Sequence, residues 1–203
     1  MVQPDLRSNH LLWLIEHHPD SDVFRLSTVV TAMAPDYSGV NSTNIERARA
    51  LWLRQAERYA TNVNVLANAA KVFGVSDGRM AFELLKRVRA LEPQNPEWLD
   101  WLAAVYAHAV RSTFADGRPR SRAFPNSDKQ TVHVAFYLPL VESRLLKSEL
   151  EASADAALVG RTAEALLREI ALLKETAFAE SEIQASEAFA KQLQLRVRQL
   201  QSR

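Results

Sequence analysis

The sequence predicts an all-α protein built from antiparallel helix pairs. Three observations carry that expectation. Only 5 of the 203 residues are glycine, while alanine, leucine, glutamate and arginine, all good helix formers, are abundant. Apolar residues recur at spacings of three and four along most of the chain. Proline and capping residues punctuate those runs where helices would start and stop.

The elements follow in order. Leu11 to Ile15 give a broad apolar face to a helix over about 6–17, ended by Pro19 and Asp20. Residues 20–42 read as a short helix ending before Pro35, although the β-branched run Thr28–Thr31 is also compatible with extended chain. Asp36 to Gly39 form a loop. Thr43-Asn44-Ile45-Glu46 has the form of a capping box, in which the threonine hydroxyl accepts from the N–H three residues on and the glutamate reaches back. The helix it opens runs to about Ala60 through Ala48, Leu51, Trp52, Gln55, Ala56 and Tyr59.

A helix over 62–73 comes next, then a turn at Gly74–Asp77, then a helix over 79–91 with Ala81, Leu84, Leu85 and Val88 inward. Glu92-Pro93-Gln94-Asn95-Pro96 stops it. Asn95 can cap the following helix, and Pro96 suits its first position, where the missing N–H has no helical partner anyway. That helix reaches about Ser112.

Residues 62–96 carry a resemblance to a known family. Asn62 to Asn95 spans 34 residues, two helices closed by Pro93, with Ala69, Ala81 and Leu85 at small and large positions. This resembles a tetratricopeptide repeat. Leu99, Leu102, Ala103 and Tyr106 sit where the next unit places its first-helix signature, and Ala48, Trp52 and Tyr59 echo the second helix of a preceding one. The resemblance covers about 44–112. It implies an α-solenoid in which small residues let helices approach and large ones fill the grooves between them. The chain is therefore expected to be one helical-repeat domain: N-terminal helices over 1–42, a repeat-like core over 43–112, an inserted loop over 113–127 and degenerate helices over 128–203.

The inserted loop contains Arg118, Arg120 and Arg122 between Phe114 and Phe124. Such a loop can grip an acidic partner or phosphates, or simply be solvated. A helix is expected from Asp128, kinked or broken at Pro139, then one opened by Ser153 or Asp155. The last helix, about 176–201, carries a stripe of Phe178, Ala185, Phe189, Leu193, Val197 and Leu200. Its acids lie early and Arg196 and Arg198 late, as the helix dipole favours.

Composition narrows the function classes. With 25 basic and 24 acidic residues, the whole chain has no nucleic-acid footprint. No apolar run reaches the roughly 20 residues a membrane span needs. The N-terminus shows no secretory signal pattern, so a soluble, cytoplasmic protein is expected. Absence of cysteine removes thiolate nucleophiles and cysteine-based zinc sites. The five histidines form no metal motif; His17 and His18 are adjacent and point apart, and His10 shares a face with His17 without an acidic partner. No nucleophile elbow or phosphate loop occurs. The expectation is no enzyme, no metal and no cofactor.

Binding remains. The family resemblance implies a groove lined by first helices, here Val63, Leu66, Ala70 and Phe73, then Glu97, Asp100, Ala104 and His108. The peptide clamp of lysine and asparagine found in some family members is replaced by Leu66, Ala70, Asp100 and Ala104. The apolar groove residues can equally pack against neighbouring helices. The expected partner is a protein or peptide held at Leu66, Phe73, Glu97, Asp100 and His108, or at Arg118, Arg120 and Arg122. The alternatives are a structural protein that self-associates through its C-terminal stripe, and a small helical enzyme or ligand-binding bundle.

Overall fold

The computed structural model describes residues 4–25, 42–74, 77–115, 138–174 and 180–202. Among them every regular element is a helix, and no helix is long and apolar enough to cross a membrane. The chain divides into two compact units, the first ending at Pro93 and the second beginning at Gln94. The division falls at the proline-rich helix stop, inside the 43–112 segment that the sequence reads as one core.

The first unit contains α1 (Pro4–His17), a 3-10 turn (Asp22–Arg25), α2 (Ser42–Arg58), α3 (Val63–Gly74) and α4 (Gly78–Leu91). Each helix packs on the next: α1 on α2, α2 on α3, α3 on α4. Caps set the boundaries. Asn62 Oδ1 accepts from the Val65 N–H at 3.2 Å, so Asn62 caps α3 rather than starting it. Asp77 Oδ1 accepts from Met80 N–H at 3.1 Å and opens α4. The expected capping box shifts: α2 already begins at Ser42, so Thr43 lies inside its first turn. At the far end, Arg87 donates to the Ala56 and Ala60 carbonyls at 3.3 and 3.4 Å, satisfying oxygens that the end of α2 leaves without helical partners.

α3 is apolar almost all round, and every residue from Val65 to Gly74 is buried. A helix of that composition belongs in a core. Its polar exception, Asn68, donates to the carbonyls of Pro19 at 2.9 Å and Ser21 at 3.0 Å, tying the chain after α1 onto α3. Phe24 from the 3-10 turn meets Trp52 of α2 edge-on, centroids 4.8 Å apart, with both side chains fully buried. The Asp22–Arg25 turn is the described part of the helix expected over 20–42; residues 26–41 lie outside the described residues.

The second unit contains α5 (Pro96–Phe114), α6 (Leu140–Ala152), α7 (Ala156–Lys174) and α8 (Glu180–Gln201). Asn95 Oδ1 accepts from Glu97 N–H at 3.1 Å with Pro96 in the first turn, as the sequence indicates. Pro139 precedes α6 instead of kinking a longer helix, and its carbonyl accepts from Ser143 N–H at 2.9 Å. Proline lacks the donor a helix interior needs but not the one a first turn leaves idle. The helix expected from Asp128 falls outside the described residues. Of the two capping candidates for α7, Asp155 takes the role, accepting from Leu158 N–H at 2.9 Å.

α5 is the central helix of this unit, packed against α6, α7 and α8. α5 and α7 run parallel. Asp100 pairs with Arg161 at 3.2 Å, and further along both helices Arg111 pairs with Glu169 at 2.8 Å. α7 and α8 form the tightest pair, with Lys174 and Glu187 2.5 Å apart at their connection. Of the C-terminal stripe, Phe189 and Leu193 are buried and Ala185, Val197 and Leu200 half-buried, while Phe178 lies outside the described residues; Phe189 meets Phe114 edge-on at 6.1 Å.

Candidate functional site

The residues that the sequence assigns to one groove are divided between the two compact units, Leu66 and Phe73 in the first and Glu97, Asp100 and His108 in the second. Leu66 and Phe73 are core side chains of the first unit, 0% and 1% exposed. Neither lines an open surface. The reason is that every residue of α3 from Val65 to Gly74 is buried, Asn68 and Lys71 included, so Leu66 and Phe73 are covered as completely as the side chains a repeat pattern turns inward. Arg118, Arg120 and Arg122 lie outside the described residues.

In the second unit Glu97 is exposed in the first turn of α5. Asp100 is engaged by Arg161, which also holds Glu164 at 3.0 Å. The hydrogen bond to Glu164, then the charges of Asp100 and Glu164, raise the Arg161 pKa further. His108 lies at the edge of a charge cluster. Arg111, 14% exposed along its side chain, reaches Glu169 of α7 at 2.8 Å and the buried Glu182 of α8 at 3.5 Å. Its guanidinium also sits 3.3 Å from His108 Nδ1. A guanidinium only donates, so Nδ1 is the acceptor in that contact. This cluster knits three helices. Among the described residues no group of three or more histidine, aspartate or glutamate side chains is placed to hold a metal ion.

Among the described residues of the first unit, an open cleft of about 620 Å³ lies between α1 and α2. Leu12, Trp13 and Glu16 line it from α1, and Arg47, Leu51 and Arg54 from α2. Trp13 stands 47% exposed, an unusual state for the largest apolar side chain. Three histidines surround its ring: His10 stacked at 6.2 Å, His17 at 4.9 Å and His18 at 5.3 Å. Glu16 accepts from Arg54 at 2.9 Å, with both side chains at least half exposed. The Glu16 carbonyl accepts from buried Gln55 at 3.0 Å, which fixes α1 against α2 behind the cleft.

The sequence places Trp13 on the apolar face of the first helix, and its histidines form no metal motif. A signal for the cleft was present. Leu11 to Ile15 are five consecutive apolar residues, more than one helical face can bury, so at least one must point outward. Here it is the tryptophan.

No protein-family model, curated protein or solved structure matches the chain.

Proposed function

We propose that this protein is a non-catalytic helical interaction module, and that its α1–α2 cleft receives a protein or peptide partner. The observation that carries the reading is Trp13, half exposed at the wall of an open cleft with arginines opposite. Aromatic and arginine side chains together are the usual composition of binding hot spots. A tryptophan left in water forgoes burial worth about 2 kcal/mol or more, which a partner would recover.

The tetratricopeptide-like reading draws support from the helix pair α3–α4, whose capped ends reproduce the 34-residue spacing, and from the parallel run of α5 and α7. In this reading the array serves as a scaffold. The working surface shifts from Leu66 and Phe73 to the cleft beside α1.

The test is affinity capture from a lysate of the native host with wild type, Trp13→Ala and, as control, Leu145→Ala on exposed α6. Partners retained by wild type and the control but lost with Trp13→Ala are expected. Partners that persist with Trp13→Ala place binding elsewhere.

A further inference from the structure

We infer that the segment received by the α1–α2 cleft is acidic, with a bulky apolar side chain between its carboxylates. This rests on the cleft being the binding surface. The argument starts from the helical spacing of α2. Arg47, Leu51, Arg54 and Arg58 step by four, three and four, so they form one strip along the helix. Three of the four are arginines. Of the acids of the same helix, Glu46 falls outside that strip, and Glu57 stands at its edge, three residues after Arg54.

Across the cleft, the described lining of α1 includes the acid Glu16, and Arg54 already holds it at 2.9 Å. That exposed pair shows the recognition the cleft can make. A guanidinium takes a carboxylate in good geometry there, and a pair so open to water exchanges readily for a partner's carboxylate. Arg47 has no ion pair with any described residue.

Spacing narrows the ligand. Arg47 and Arg54 lie two helical turns apart, about 10 Å along α2, with Leu51 between them and Trp13 facing. That spacing suits two separate anionic groups better than one. Two carboxylates flanking an apolar residue can reach both, in a helix laid into the cleft or in an extended segment. A nucleic acid would require a broader basic field than this chain's near-balanced 25 basic and 24 acidic residues supply.

The experiment pans a display library of random 12-residue peptides against the full chain. The best peptide is then titrated by fluorescence anisotropy against wild type, Arg47→Glu, Arg54→Glu and Trp13→Ala, each checked for native helicity by circular dichroism. The expected result is enrichment of peptides with several carboxylates around a large apolar residue. Their affinity falls about tenfold or more in Arg47→Glu, falls in Trp13→Ala, and weakens with added salt. Enrichment of neutral or basic peptides whose binding still needs Trp13 would overturn the acidic assignment and leave the interaction reading standing. Failure to enrich any peptide, or peptides indifferent to Trp13→Ala, would overturn both. Arg47-dependent binding to phosphatidylserine vesicles or to a 20-base-pair DNA duplex in place of peptides would also overturn the assignment.

Discussion

Arg111 of α5 lies 2.8 Å from Glu169 of α7 in a largely buried setting, and the same guanidinium faces Glu182 of α8, whose side chain is 1% exposed. One cation thus meets two carboxylates from two other helices. Taking such groups out of water is costly, and the cost is offset only while the partners stay together. Arg111→Met is therefore expected to destabilise the second unit by about 3 kcal/mol or more, since it removes the cation that two largely buried carboxylates share. Urea denaturation measures this. Adding Glu182→Leu to Arg111→Met should recover part of the loss, because a buried carboxylate that has lost this cation goes with it.

Asn68 supports the first unit by a neutral version of the same logic. Its amide donates to two carbonyls, of Pro19 and Ser21, in a buried setting. Asn68→Leu keeps the volume and strands the Pro19 carbonyl, while the Ser21 carbonyl keeps the Phe24 N–H at 3.3 Å, at a cost of about 1–3 kcal/mol. The thermal midpoint should drop while helicity stays native. An unchanged midpoint would show that the Pro19 carbonyl finds another partner.

Gly160 is the opposite case. It lies within α7, and a Cβ added there would meet the Val197 Cγ2 of α8 at 3.6 Å, an ordinary contact. Nothing in its surroundings requires a glycine. Gly160→Ala should stabilise the protein by about 0.5–1 kcal/mol through reduced freedom of the unfolded chain and higher helix propensity. Equilibrium denaturation gives the sign directly.

The Lys174–Glu187 pair at the α7–α8 connection makes stability depend on pH. The hydrogen bond from Lys174, then its charge, holds the Glu187 carboxyl below its ordinary range. A depressed folded-state pKa means the stabilisation is fully present above the unfolded value of about 4.3. It is lost as pH falls through the lower folded value. Glu187→Gln should therefore lower the thermal midpoint at pH 7, and the gap to wild type should close as pH falls through the lowered folded value. A gap that persists at low pH would show that the effect is not electrostatic.

Much of the helical layout was legible in the sequence because helix ends are local. Asn95 with Pro96 and the stop at Pro93 are settled by neighbours within a turn, and the structure places them as read. Pro139 was legible as a break, but whether it interrupts or begins a helix depends on the residues before it. Leu66 and Phe73 were misplaced for a different reason. Helical spacing says which side chains share a face, and it does not say how many neighbours cover that face. Trp13 escaped for the converse reason: nothing local distinguishes an apolar residue that finds a neighbour from one that does not. The Arg111 cluster joins residues far apart in the chain, and such pairings appear only once α5, α7 and α8 are packed.

The central claim is that a partner docks against Trp13, and site-specific photo-crosslinking in the native host tests it most directly. A benzophenone amino acid is placed at Trp13 and, in a separate variant, at Val141, the most open large apolar site on α6 at 67% exposure. The account predicts a discrete adduct from position 13, suppressed by Arg47→Glu, and none from position 141. Adducts from 141 alone, or an adduct at 13 unaffected by Arg47→Glu, would contradict it.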